Sequence, residues 1–314
     1  MRAVPAAAAS VPAVATRAGV LWRFSRPHTV IGTWLGVAGL FAIALHATGG
    51  APAATALFHL ACTLAAATGV NVAIVGVNQI TDVEIDRINK PKLPMAAGEL
   101  SRDAAWRVVA LAALGPVAMA LTQGWAETAA VVVALAVGAA YSLPPVRLKR
   151  WPVAASLCIA GVRSAVVNLG VAVHFTAAFG GDGRVPAAVW ALCLFVLPFS
   201  FAIAVLKDVP DREGDRRHRI LTFTVRLGPR RAAWLGLGAL AVAYAGMAVL
   251  GPLALPRASA AVLAGGHLGA LALLAWWAYR ADPEDARAFT RFYMRVWVLF
   301  FLEYVLVPAA VLAG

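Results

Sequence analysis

Apolar stretches long enough to cross a bilayer recur along almost the whole chain, and this recurrence constrains the fold more than any other feature. They lie at approximately 28–47, 57–79, 104–121, 126–143, 153–175, 187–206, 232–250, 258–280 and 292–312. About 20 residues of helix, rising about 1.5 Å each, cover the roughly 30 Å of hydrocarbon in a membrane. No water is present there to satisfy peptide groups, so each stretch must close its hydrogen bonds internally as a helix. Of the 314 residues, 61% are hydrophobic and 13% charged, which leaves too little polar surface for a water-soluble domain. The expected fold is therefore all-α: a polytopic membrane protein of about nine transmembrane helices. No long polar segment interrupts the pattern, so residues 21–314 read as a single transmembrane domain. Residues 1–20, Ala-rich and free of acidic side chains, read as a disordered lead. Cys62, Cys158 and Cys193 all fall inside apolar stretches without metal-type spacing, and read as small core residues.

The net charge of +12 raises the possibility of a nucleic-acid partner, but the placement of the charge argues against one. Apart from Arg163, Arg184 and Arg257, every Lys and Arg lies before the first stretch, or in or at the margin of every second connection. This alternation is the positive-inside pattern, with the N-terminus cytoplasmic and the C-terminus outside. The positive charge then serves topology, anionic lipid or an anionic substrate, and no basic-aromatic nucleic-acid module accompanies it.

Acidic residues concentrate after the second and sixth stretches, both on the expected cytoplasmic side. The first cluster, NQITDVEIDRINKP from Asn78, spaces Asn78, Asp82 and Asp86 four apart, so that continued helix aligns them on one face. The second, KDVPDREGD from Lys207, contains Asp208, Asp211 and Asp215, with Pro210 and Gly214 expected to loosen the helix there. Stacked carboxylates repel unless a cation neutralises them. Hard oxygen donors beside an anionic phosphate suit Mg²⁺, which shares its coordination with phosphate oxygens. No Gly-rich phosphate loop of either common pattern occurs, so a diphosphate site must be built from helices.

At these clusters the chain resembles the UbiA superfamily of membrane aromatic prenyltransferases, and most closely its homogentisate prenyltransferase branch. The resemblance is carried by FSRPHT at Phe24 to Thr29, NQITDVEIDRINKPKLP at Asn78 to Pro94 and AGELS at Ala97 to Ser101. It continues through YSLPPVRLKR at Tyr141 to Arg150, RSAVVNLG at Arg163 to Gly170 and KDVPDREGD at Lys207 to Asp215. The resemblance implies a central cavity open to the membrane and two Mg²⁺ ions. It also implies a transferase that moves a prenyl group from its diphosphate to homogentisate, with loss of the acceptor's carboxylate. Such products are quinol precursors of tocopherols and plastoquinone, and the resemblance does not choose among phytyl, geranylgeranyl and solanesyl donors.

Each candidate residue then has an expected role. Asn78, Asp82, Asp86, Asp208, Asp211 and Asp215 hold the metal; Asp82, Asp86, Asp208 and Tyr141 carry the catalysis. Arg26, Lys90, Lys92, Arg163 and Lys207 are placed on the diphosphate. His28, Arg163 and Asn168 are placed on the small aromatic acceptor. Arg163 falls inside an apolar stretch, where an unpaired charge costs at least about 2.5–3.5 kcal/mol, so it is expected to face a polar cavity. Asn168, five residues on, sits too far round an α-helix to share that face fully. Positive-inside anchoring also accounts for Arg26, and the interfacial aromatic belt also accounts for Tyr141. The alternatives are another acceptor (4-hydroxybenzoate, a naphthoate or chlorophyllide) or a membrane transporter, against which the membrane interior is expected to lack carboxylates.

Overall fold

Each apolar stretch becomes a helix in the computed structural model, which describes residues 16–314. The chain runs α1 (Arg17–Phe24), α2 (Pro27–Ala47), α3 (Ala53–Thr81), α4 (Val83–Asn89), α5 (Arg102–Gln123) and α6 (Trp125–Ser142). It continues with α7 (Pro152–Gly161), a π-helical segment (Val162–Val167), α8 (Asn168–Ala178), α9 (Ala187–Arg217) and α10 (Phe223–Leu227). The last elements are α11 (Pro229–Ala254), α12 (Ala260–Tyr279) and α13 (Ala286–Leu312). Taking Pro152–Ala178 as one helix, nine helices among the described residues are long and apolar enough to span a membrane. This is the polytopic architecture expected from hydropathy.

Six of these spans close a ring around a central cavity: α2, α3, α6, the α7–α8 span, α9 and α13. The α9 helix is the most enclosed, whereas α5 and α12 lie at the periphery. Leu111, Leu114 and Leu121 of α5 are 67–76% exposed, as a lipid-facing surface requires. Close approach depends on small residues. A Cβ at Gly39 of α2 would lie 2.7 Å from the carbonyl oxygen of Tyr304 on α13, so only glycine permits this contact.

The structure corrects four expectations. Pro210 and Gly214 do not loosen α9, which continues unbroken to Arg217, well beyond the apolar stretch. The first cluster, by contrast, is not one continuous helix: Asp82 leaves helical geometry (φ −114°, ψ 14°) and joins α3 to α4. Helix α1 starts at Arg17, inside the lead expected at 1–20, and the rest of that expectation, on residues 1–15, lies outside the described residues. Finally, the interior does contain carboxylates. Glu303 in α13 is fully buried against His267 of α12 (Oε2 to Nε2 3.0 Å), and Glu127 is buried near the start of α6.

Candidate active site

The ends of α3 and α9 converge because both helices extend past their apolar segments on the same side of the bundle. There Asn78, Asp82, Asp86, Asp208, Asp211 and Asp215 line a single polar cleft of about 60 Å³, together with Arg26, Lys90, Tyr141, Lys149 and Lys207. The break at Asp82 preserves the facing of the first cluster: Asn78 Nδ2 donates to Asp82 Oδ2 (2.8 Å), and Asp86 N donates to Asp82 O (2.7 Å).

Two contacts tie the acidic clusters together across the cleft. Lys90 is paired with Asp211, and the Gly214 backbone N–H donates to Asn89 Oδ1 (2.8 Å). A Cβ at Gly214 would come within 2.6 Å of the Asn89 amide. Gly214→Ala is therefore expected to displace Asn89 and cost about 1–3 kcal/mol through the lost buried hydrogen bond. The check is thermal unfolding of the variant beside wild type, and an unchanged melting temperature would contradict the tether.

Among the described residues, four of the five cleft carboxylates have a cation within 4.0 Å, and Asp215 is the exception. Asp82 accepts from Lys149 Nζ (2.5 Å) and Arg147 Nη2 (3.2 Å). Asp208 lies 3.4 Å from Lys207 Nζ, and Asp86 lies 3.9 Å from Arg26 Nη2. Burial pushes the Asp86 carboxyl above the usual carboxylate range despite Lys90 and Arg26, and its Oδ2 has no hydrogen-bond partner. Burial also pushes the Lys149 ammonium down, which Asp82 offsets only in part. At Lys90 burial acts the same way, but Asp211 and Asp86 outweigh it and hold the ammonium above the ordinary lysine range. Arg26 and Arg147, the two arginines that reach these acids, both have left-handed backbones (φ 52° and 41°). A non-glycine residue held there costs roughly 1–2 kcal/mol, and such strain concentrates at functional sites.

The cleft opens into a second cavity of about 280 Å³ within the ring of spans. Arg26, Asn78, Tyr141 and Lys207 line both spaces and form the collar between them. Lys207 Nζ donates to Tyr141 Oη (3.2 Å). Arg163 lines only the larger cavity, with its guanidinium 4.8 Å from the Trp297 ring centroid and 5.8 Å from that of Phe300. Arg163 Nη1 has no partner, and no acidic group among the described residues lies within 4.0 Å of it. His28 lines the same chamber and packs edge-on against Trp297 (4.9 Å).

Two expected site residues lie elsewhere. Lys92 is exposed and lines neither space; its backbone carbonyl meets Arg23 instead. Asn168 is fully buried behind the wall, where its Oδ1 accepts from Tyr304 Oη (2.8 Å), so it acts on the chamber only by holding Tyr304. Sequence reasoning assigned no site role to Lys149 and Arg147, although both lie in the YSLPPVRLKR string and alternation in the basic loop was the available signal. Nor did it find Asn89, Trp297 or Glu127, whose placement depends on contacts between helices distant in sequence.

Comparison with known proteins agrees with this geometry. The model of the UbiA prenyltransferase family matches residues 29–299. A homogentisate phytyltransferase from Synechocystis is 42% identical over 295 residues, covering 92% of this chain and 94% of the relative. The chloroplastic homogentisate solanesyltransferase of Arabidopsis thaliana is 37% identical, covering 91% and 75%. A solved UbiA homolog from Archaeoglobus fulgidus, bound to GPP and Mg²⁺, shares the fold with a TM-score of 0.61 at 20% identity, over 92% of this chain and 99% of that one. From the ring of spans, the paired acidic clusters and these matches together, the chain belongs to the UbiA prenyltransferase family.

Proposed function

We propose that this protein transfers a prenyl group from its diphosphate to homogentisate, with the reaction at the collar between cleft and chamber. The observation that carries the reading is the juxtaposition itself: a charged cleft able to hold a diphosphate opens directly into an apolar, aromatic-lined cavity inside a membrane bundle.

The cleft residues fit a divalent metal by donor type, since five carboxylates and two amides, Asn78 and Asn89, line one space and Asp86 Oδ2 is a buried acceptor without a hydrogen bond. As arranged, no three His, Cys, Asp or Glu side chains among the described residues already form a metal nest, because lysine and arginine groups stand between the acids. Asn78, Asp82, Asp86, Asp208, Asp211 and Asp215 would hold Mg²⁺, which supplies Lewis-acid neutralisation of the departing diphosphate. Arg26, Lys90 and Lys207 add fixed positive charge where negative charge develops, and charge assembled in advance pays no reorganisation cost during reaction. The Tyr141 ring borders the collar and offers its π face to an allylic carbon becoming positive.

Arg163, His28 and Trp297 position the acceptor, with the free guanidinium edge taking the acceptor carboxylate. The allylic C–O bond breaks and a carbon–carbon bond forms to the ring, which loses a proton. The side-chain carboxylate leaves as CO₂, and the methylene it leaves behind takes up a proton. The distribution of basic residues supports a cytoplasmic active site, with the N-terminus inside and the C-terminus outside.

Membranes containing the protein, given homogentisate and a panel of labelled prenyl diphosphates, are expected to form a decarboxylated prenyl quinol. Excess chelator is expected to stop the reaction, and Mg²⁺ to restore it. Product with 4-hydroxybenzoate, a naphthoate or chlorophyllide but none with homogentisate would overturn the acceptor, and undiminished turnover in chelator would overturn the metal.

A further inference from the structure

At the end away from the collar, the larger cavity is lined by an acid. Glu127 and Thr63 line it there, and Thr63 Oγ1 donates to Glu127 Oε2 (2.8 Å). Both residues are at least 97% buried, and Glu127 Oε1 has no partner. His174 stands behind, its Nε2 3.1 Å from Glu127 Oε2, itself buried and packed against the His59 ring.

Between collar and acid, α3 contributes Ala66, Val70 and Ile74, and α6 contributes Ala130, Ala134 and Val137, so the α3–α6 groove is apolar apart from Asn71, whereas His28, Thr33 and Arg163 line the cavity elsewhere. An apolar tail fills such a groove well, but a tail long enough to press on Glu127 must bury an unsatisfied carboxyl against hydrocarbon.

The length of the groove follows from helix geometry. Glu127 and Tyr141 lie fourteen residues apart on one helix, or about 21 Å at about 1.5 Å per residue. With carbon–carbon bonds of about 1.5 Å, the four chain bonds of an isoprenoid unit advance it by roughly 5 Å, so four units reach the floor. We infer that Glu127, backed by Thr63 and His174, is the polar floor of the tail site and sets the prenyl donor at four isoprenoid units. This rests on the prenyl-transfer reading above.

The test uses the full-length chain in lipid nanodiscs with Mg²⁺. Geranyl, farnesyl, geranylgeranyl, geranylfarnesyl and solanesyl diphosphates compete for binding without acceptor, and their transfer to homogentisate is measured separately. Wild type is expected to bind the geranylgeranyl donor at least about tenfold more tightly than the two longer donors. Glu127→Ala is expected to raise geranylfarnesyl over geranylgeranyl binding by about tenfold, whereas Glu127→Gln, which keeps bulk and polarity, stays within about twofold of wild type. Loss of a merely structural residue would weaken all tails together and leave the ratio unmoved.

Should Glu127→Ala fail to fold, Ala134→Phe provides the second arm. Ala134 is seven residues from Tyr141, about 10 Å, so filling that point is expected to shift preference to a two-unit geranyl donor. Equal binding of all tails by wild type, an unmoved ratio in Glu127→Ala, a Gln variant that behaves like the Ala variant, or no shortening in Ala134→Phe would each overturn the floor. Tail-selective binding without transfer to homogentisate sinks the acceptor reading and leaves the floor standing; transfer without tail selectivity does the reverse.

Discussion

Asp208→Ala is expected to lower prenyl transfer by at least about a hundredfold while the bundle stays folded. Asp208 lines the cleft and its ion pair is with Lys207 at 3.4 Å, but Lys207 also donates to Tyr141 Oη and so keeps a partner when the carboxylate is removed. The end of α9 keeps its other ties, through Asp211 to Lys90 and Gly214 to Asn89. The substitution therefore removes a cleft-facing oxygen pair with little structural consequence. Asp82 is different, because it is the acceptor for Lys149, a lysine only 6% exposed, and also for Arg147 and Asn78. Removing one partner of a buried pair costs roughly 3–5 kcal/mol, so Asp82→Ala is expected to lose stability together with activity. Asp82→Asn, which retains shape and one acceptor, is the cleaner variant there. Transfer of a labelled prenyl group and thermal unfolding, measured on the same preparations, separate the two effects. Wild-type turnover in Asp208→Ala would end the assignment of the second cluster to the diphosphate and its metal.

Arg163→Leu should raise the KM for the acceptor by about a hundredfold, the scale of one charge-assisted hydrogen-bond pair, and leave diphosphate binding nearly unchanged. The sequence alone divided Arg163 between the two substrates. In the structure Arg163 lines the chamber but not the acidic cleft, which is the basis for expecting the effect on the acceptor. Its guanidinium lies over Trp297 and Phe300, and its Nη1 is buried without a hydrogen-bond partner. Because an unpaired charge inside a membrane span is costly, the Leu variant is expected to unfold no more readily than wild type. Arg163→Lys is expected to rescue little, as an ammonium lacks the planar fork and stacks poorly. Acceptor titrations at saturating diphosphate, with separate measurement of diphosphate affinity, decide the matter. A fall in diphosphate affinity with an unchanged acceptor KM would move Arg163 to the other substrate.

Hydropathy located all nine spans, although α9 runs well past its stretch, because the cost of placing a polar side chain in hydrocarbon is paid locally, residue by residue. The two acidic strings were legible for a related reason: so many carboxylates beside lysines stand out in a chain this apolar, where each charge is costly unless it is paired or solvated. Local chemistry failed where neighbours decide. Pro210 and Gly214 carry helix-breaking propensity, yet α9 runs through both while its end is held to α4. Lys92 has the same chemistry as Lys90 two residues earlier, but only Lys90 is directed at Asp211. Asn168 lies near Arg163 in sequence, but the chain's path turns it to Tyr304, behind the wall.

What the amino-acid order determined by itself was a membrane-spanning helical bundle with two acidic clusters on one side, since both follow from the solvation of individual side chains. The tertiary structure alone decided that those clusters face one cleft, that the cleft meets an apolar chamber at Arg26, Asn78, Tyr141 and Lys207, and that Glu127 lines that chamber. These are distances between helices far apart in the chain. They are set by which small residues allow close approach and which buried polar groups find partners, and no single segment contains that information.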